Sequence, residues 1–337
     1  MDANAAAAAE DIAPLVQVSG LSVKFVSREA TVHAVNDVSF TARRGEVLCI
    51  LGESGSGKSV TLRTLMRLLP RQAKIEGDVR VGGADVLAMS SGDLRRLRGG
   101  LVSMVFQEPM TALDPVYTIG RQIGETVRRH LGVDRRAARA RALELLELVR
   151  IPSAERRLDA YPHELSGGLR QRAMIAMALS CNPQLLLADE PTTALDATVQ
   201  VQVLVLLRRL QRELGMGMIF VTHDLGVAAE IADRIAVMYA GRIVETGPVA
   251  QVLRDPLHPY TAGLLASTVH GQRRDRDIDA IPGSPPDMRR LPPGCSFAPR
   301  CPRRSAACRN TMPAPRFPAP DRMAACLNLP AAAAVDV

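Results

Sequence analysis

The sequence predicts an α/β protein built on a mostly parallel sheet, and three observations carry that reading. From about residue 15 to 250, short apolar runs alternate with helix-like segments. The runs Val47-Leu48-Cys49-Ile50-Leu51, Leu185-Leu186-Leu187-Ala188 and Met218-Ile219-Phe220-Val221-Thr222 are continuously apolar, which suits strands covered on both faces. The first of them leads straight into Gly52-Glu53-Ser54-Gly55-Ser56-Gly57-Lys58-Ser59, and a helix-compatible stretch, 60–69, follows. That spacing, G-x-x-x-x-G-K-[ST] between a strand and a helix, is the one that cradles phosphates.

The other segments follow in order. Residues 1–14 form an Ala-rich tail that specifies no fold, and we expect disorder there. Between about 108 and 164 strand signals fade and helical ones take over. In 135–150, Ala142, Leu145, Leu146 and Val149 recur at i, i+3, i+4 and i+7, giving one apolar stripe. We expect a helical insertion over about 108–180, carried by a body of 15–265. From 266 to 337 the composition changes: residues 271–337 hold 12 of the 23 prolines and four of the six cysteines. With almost no periodicity, this reads as an appended extension with little regular structure of its own.

At 337 residues and 47% hydrophobic content, the chain has ample apolar material for a core, and wholesale disorder is excluded. No apolar run approaches the roughly 20 residues that span a bilayer. The start lacks the basic region of a signal peptide, so a soluble, cytoplasmic protein is expected. The net charge of +7 is unevenly spread. Residues 271–337 hold 11 Arg against 6 Asp, whereas 1–270 hold 31 basic against 29 acidic residues. The body is nearly neutral, so charge makes no case for nucleic-acid binding. Six cysteines in a cytosolic chain argue against a disulfide framework.

The chemistry gathers around the phosphate loop. Its glycines allow backbone N–H groups to turn inward, and the following helix adds its positive dipole end. Lys58 would contact the β- and γ-phosphates, and the Ser59 hydroxyl would ligate Mg²⁺. Asp189-Glu190 ends an apolar strand at the sheet edge where ligands bind. Asp189 would hold Mg²⁺, and Glu190 could polarise an attacking water. Such a pair alone is commonly a helix N-terminal feature; with a phosphate loop upstream, the catalytic reading prevails.

Between these elements lies Leu165-Ser166-Gly167-Gly168-Leu169-Arg170-Gln171-Arg172, which matches the LSGGxxQR signature of ATP-binding cassette (ABC) ATPases throughout. On these motifs the chain is identified as a member of that family over roughly 15–250, which implies a P-loop ABC cassette: a RecA-like core with an antiparallel β part and a helical insertion. In the same order, Gln107 resembles the Q-loop glutamine, Ala194-Leu195-Asp196 the D-loop, and His223 the switch histidine. Phe25 is the best-placed aromatic for stacking adenine, with core packing as its plainer alternative. The resemblance implies ATP and Mg²⁺ as cofactors. It makes Glu190, His223 and Gln107 catalytic. The nucleotide-binding set would be Phe25, Gly52, Glu53, Ser54, Gly55, Ser56, Gly57, Lys58, Ser59, Ser166, Gly167, Gly168, Asp189 and Asp196. Ser59, Gln107 and Asp189 would surround Mg²⁺. It also implies that each ATP lies between one subunit's phosphate loop and the other's signature, so that ATP binding closes and hydrolysis reopens a dimer.

The stretches Phe106–Pro115, Pro256-Leu257-His258-Pro259-Tyr260-Thr261 and Ile281-Pro282-Gly283-Ser284-Pro285-Pro286 resemble ATPase subunits of dipeptide, oligopeptide and nickel importers. The implied partners are a second ATPase subunit (homologous or identical), two membrane permeases and an extracytoplasmic solute-binding protein, without nucleic acid. The implied location is peripheral, on the cytoplasmic face of the inner membrane. Nickel, glutathione or another small solute is the alternative cargo. A soluble ABC ATPase acting on nucleic acid is the rival class, and such proteins usually carry long coiled-coil insertions or two cassettes. Cys295, Cys301, Cys308 and Cys326 are spaced C-x5-C-x6-C-x17-C, without the C-x2-C knuckle of zinc fingers. Four thiolates can hold a [4Fe–4S] cluster, as some importer subunits of this resemblance do; zinc and free thiols stay open. Cys49 and Cys181 read as small buried hydrophobes.

Overall fold

A computed structural model describes residues 13–108, 112–193, 195–267 and 280–329; the expected N-terminal tail falls almost wholly outside them. Two sheets organise the described residues. The smaller is antiparallel, with strands β1 (Val16–Val26), β2 (Thr31–Ala42), β4 (Ala73–Val81) and β5 (Ala84–Asp85) in the order β2-β1-β4-β5. The larger has eight strands in the order β11-β12-β10-β9-β3-β8-β7-β6. Its parallel part comprises β3 (Val47–Leu51), β6 (Val102–Val105), β7 (Leu185–Asp189), β8 (Gly217–Thr222) and β9 (Arg234–Tyr239).

Why the continuous apolar runs become these strands is visible in β3. Cys49 and Leu51 join one hydrophobic cluster, while Leu48 and Ile50 join the other. Alternate side chains of a strand point to opposite faces, so an unbroken apolar run is what two covered faces require. β7 divides likewise, with Leu186 and Ala188 on one side and Leu185 and Leu187 on the other. In-register parallel pairing of Leu51 with Thr222, and of Asp189 with Val221, brings the C-terminal ends of β3, β7 and β8 to one edge.

After β3 comes α1 (Lys58–Leu65), starting two residues before the expected helix because Gly57 at its N-cap takes φ 103°. The helical region holds α3 (Ile119–Leu131), α4 (Arg135–Leu148), α5 (Ala154–Leu158) and α6 (Gly167–Ala178), preceded in the chain by α2 (Ser91–Arg96). The expected stripe Ala142, Leu145, Leu146 and Val149 is fully buried. Further along lie α7 (Ala197–Leu214), α8 (Leu225–Ile231), α9 (Val249–Arg254) and α10 (Pro259–Ala266). No described helix is long and apolar enough to cross a membrane.

The C-terminal extension contributes two short strands, β11 (Arg316–Ala319) and β12 (Arg322–Ala324), which join the large sheet beside β10 (Arg242–Pro248). Strands of four and three residues are too short for a periodic signal, and Pro318 is tolerated because β11 is an exposed edge. What anchors them is a buried charge pair: Arg322 Nη2 donates to Glu245 Oε1 at 2.9 Å, with Glu245 fully buried. The same carboxylate accepts the N–H groups of Leu257 and His258, each at 2.9 Å. These three donors satisfy a carboxylate that burial has cut off from water.

Candidate functional site

The phosphate loop joins β3 to α1, and two of its glycines are sterically required. A Cβ on Gly52 would lie 2.2 Å from the Met238 carbonyl oxygen, and one on Gly57 would lie 2.4 Å from that of Ala34. The loop is therefore wedged between β9 and β2, with no room for a side chain at either point. Lys58 opens α1 and is 4% exposed. Its ammonium donates to the carbonyls of Gly52 (2.7 Å) and Glu53 (3.0 Å) and stands 3.8 Å from Glu190 Oε1. Burial holds the Lys58 ammonium below its ordinary pKa, although Glu190 and Asp189 pull it upward.

Ser59 Oγ donates to Asp189 Oδ1 at 2.7 Å, so the helix start and the end of β7 meet side by side. Burial raises the Asp189 carboxyl above its usual range, against the Ser59 hydrogen bond and Arg63, which stands 3.8 Å away. Glu190 follows with φ 46°, in the left-handed region, and its N–H donates to the Val221 carbonyl at 3.1 Å. That turn aims its carboxylate across the sheet edge. Oε2 accepts the Thr193 hydroxyl at 3.0 Å and faces His223 Nδ1 at 3.1 Å. Three strand ends thus bring Lys58, Ser59, Asp189, Glu190 and His223 into one cluster around the phosphate loop.

The remaining expected residues lie elsewhere. Ser54 and Gly55 are exposed on the loop, and Ser56 is buried, its carbonyl accepting the Gly241 N–H. Gln107 is exposed just beyond β6. Phe25 is half-buried on β1 and packs against the core cluster of the smaller sheet. Ser166 is the N-cap of α6, with Ser166 and Gly167 exposed. A Cβ on Gly168 would lie 2.6 Å from Val199 Cγ1, which seats the signature against α7. Asp196 caps α7 by accepting the Val199 N–H at 3.0 Å. No hydrogen bond or ion pair among the described residues joins Ser166–Gly168 to the phosphate loop.

Sequence reasoning missed the groups that hold this cluster. Thr193 and Arg63 touch Glu190 and Asp189, and Tyr260 of α10 accepts the Glu53 N–H at 3.0 Å. Tyr260 is one of only four tyrosines and lies in the Pro-Leu-His-Pro-Tyr-Thr stretch, a signal that could have flagged it. The C-terminal cysteines are free thiols, as are Cys49 and Cys181, both buried. Cys295 and Cys301 each lie within the electrostatic reach of two of the others, so the four share one neighbourhood. Burial raises the Cys295 and Cys301 thiols, while hydrogen bonds from Ser305 lower Cys308. Among the described residues no group of three or more His, Cys, Asp or Glu is placed to hold a single metal ion.

Comparison with known proteins adds the family. Residues 35–193 match the ABC transporter family and 244–308 the C-terminal region of oligopeptide/dipeptide transporters. A Brucella melitensis protein whose name assigns it to peptide import as the ATP-binding protein is 53% identical over 313 residues, covering 89% of this chain and 93% of that one. A similarly named Brucella abortus protein is 52% identical over 305 residues, covering 89% and 91%. Among solved structures, a dimeric ATP-binding cassette in a post-hydrolysis state with ADP and Pi superposes with TM-score 0.63 at 30% identity, covering 69% of this chain and 98% of that one. A Clostridium perfringens protein, cbiO1 of the ABC transporter complex cbiONQ, gives 0.62 at 27%, covering 72% and 91%.

Proposed function

The chain belongs to the ABC transporter family, among the peptide import ATP-binding proteins, and from that premise we propose that it is the ATP-hydrolysing, energy-coupling subunit of an importer for di- and oligopeptides. The observation that carries the reading is the meeting of Lys58, Ser59, Asp189, Glu190 and His223 at one sheet edge.

Lys58 binds the β- and γ-phosphates, exchanging its loop carbonyls for phosphate oxygens. The Ser59 hydroxyl and Asp189 carboxylate are hard oxygen donors 2.7 Å apart, a set that fits Mg²⁺, and Gln107 would complete it. Mg²⁺ bound there would neutralise phosphate charge. Glu190 accepts a proton from the attacking water, held in orientation by Thr193 and His223. Phe25 stacks on adenine. Ser166, Gly167 and Gly168 bind the γ-phosphate of a nucleotide held by the partner subunit, and Asp196 lies at that same junction. The partner is a second ATPase subunit of related or identical sequence. Two permease subunits dock on the cytoplasmic side, so the protein sits peripherally on the inner membrane, and a solute-binding protein feeds the complex from outside.

Cys295, Cys301, Cys308 and Cys326 would be the donors of a [4Fe–4S] cluster, which would have to draw them closer than the described structure places them. Four free thiols share one neighbourhood, and Cys295 and Cys301 accept backbone N–H groups, the contacts that stabilise cluster-bound thiolates. Such a cluster would tie four loop positions together. Iron and acid-labile sulfide in anaerobically purified protein, both lost in Cys301→Ser, support this; their absence in the parent overturns it. Peptide uptake by proteoliposomes holding the permeases and this subunit tests the main reading. ATP-dependent uptake of short peptides is expected. Uptake of nickel or glutathione but no peptide would overturn the assigned cargo.

A further inference from the structure

Glu53 is the second residue of the phosphate loop, at a position the G-x-x-x-x-G-K-[ST] spacing leaves free. Yet all three of its polar groups are engaged. Its carbonyl accepts Lys58 Nζ at 3.0 Å, and its N–H donates to Tyr260 Oη at 3.0 Å. Its carboxylate is gripped by Arg300 Nη1 at 3.1 and 3.0 Å.

Arg300 comes from the C-terminal extension, 247 residues away in the chain, and is itself 8% exposed. It is locked from several sides. Nε donates to the Pro282 carbonyl at 3.0 Å, Nη2 to that of Ile281 at 3.4 Å, and Nη1 also reaches Tyr239 Oη at 3.4 Å. Cys301 follows directly. Phe297, three residues earlier, packs its ring on Tyr239 (5.2 Å) and Tyr260 (5.4 Å). Cys295 precedes it, and its N–H donates to the Cys308 carbonyl at 2.9 Å. The stretch 295–301 is thus bounded at both ends by cysteines and fastened in its middle to the phosphate loop and to the tyrosine that holds it.

We propose that residues 295–301 are a positioning element for nucleotide binding: through Arg300 and Phe297 they fix the Glu53 peptide, so that ATP affinity depends on how the four-cysteine segment is held. The inference rests on the ATPase reading above. A residue held at its N–H, its C=O and its side chain has the peptide units on both sides of its Cα fixed in orientation. Freed from Arg300, the Glu53 backbone is held by Tyr260, by the Ser56 N–H at 3.2 Å and by Lys58, and Lys58 is the residue that must turn to the phosphates. Arg300 touches no phosphate in this scheme; it acts through Glu53.

The test is titration of the full chain with a ribose-labelled fluorescent ATP and Mg²⁺, alongside turnover at saturating ATP. Arg300→Gln is expected to raise the Kd about tenfold, a coupling typical of residues in one network, while saturated turnover stays within about twofold. Glu53→Gln should raise the Kd by a similar factor, and the double variant should bind no more weakly than Arg300→Gln. Arg300→Lys should recover part of the loss, and Cys301→Ser should raise the Kd in the same direction. An unchanged Kd in a folded Arg300→Gln protein, fully additive single effects, or an unchanged Kd in Cys301→Ser each overturns the proposal. If Arg300→Gln does not fold, Glu53→Gln carries the test, because its side chain stands on the open side of the pair at 26% exposure. Failure of the parent chain to bind Mg-ATP would instead refute the ATPase reading itself.

Discussion

The chain's two glycine-bearing phosphate motifs differ in how much of their chemistry the chain itself supplies. At 52–59 the loop is enclosed: Lys58 is buried, its ammonium has two carbonyls and a carboxylate around it, and neighbouring strands press on Gly52 and Gly57. At 166–168 the start of α6 is open. Ser166 and Gly167 are exposed, the Ser166 side chain caps no helix N–H, and only Gly168 is pressed, against Val199. A helix N-terminus has free N–H groups and a positive dipole end that want an anion. One motif is completed from within and the other faces outward, which is how a chain is built when its second phosphate contact belongs to another subunit's nucleotide.

Two substitutions test that division. The larger effect is expected at the enclosed site. Glu190→Gln keeps the hydrogen-bonding shape but removes the base, so turnover should fall by about 10²–10⁴ while Mg-ATP still binds. A steady-state rate within threefold of the parent would show that another group takes the proton. The smaller effect belongs to the open site. Ser166→Arg puts a cation on the positive end of α6 and should weaken ATP-driven pairing of two subunits about tenfold or more, as loss of an interface anchor does. Affinity of a single chain for labelled ATP should stay within about threefold, since distant sites act independently. Size-exclusion chromatography with and without ATP reads the first quantity and fluorescence titration the second. A parallel fall in both would mean that the signature serves its own chain's nucleotide.

Local spacing made the enclosed site legible. The strands bearing Leu51, Asp189 and Thr222 announced themselves by unbroken apolar runs, because both faces of each are covered, and the loop and acid pair sit at their ends. Lys58 and Ser59 followed from a motif whose residues lie side by side in sequence. The contacts that hold the site were not legible, because each joins residues far apart: Glu53 to Arg300, Glu190 to His223, Gly57 to the Ala34 carbonyl. The left-handed turn at Glu190 gave no sign either, since an acidic residue there looks like an ordinary helix start. The strands of the extension were hidden for a different reason. Three or four residues among prolines show no period, and their pairing is decided by β10 and by the Arg322–Glu245 contact.

That buried pair sets where a hybrid protein can be joined. A chimaera that trades C-terminal extensions between relatives by splicing between residues 267 and 280 would leave Glu245 in the host and bring Arg322 from the donor. Any donor lacking an arginine at that place would strand a carboxylate in the interior, at a cost of about 3–5 kcal/mol. The transferable unit therefore begins at β10, with Glu245, Tyr260 and Arg322 travelling together, and the visible change in composition near residue 270 marks the wrong seam.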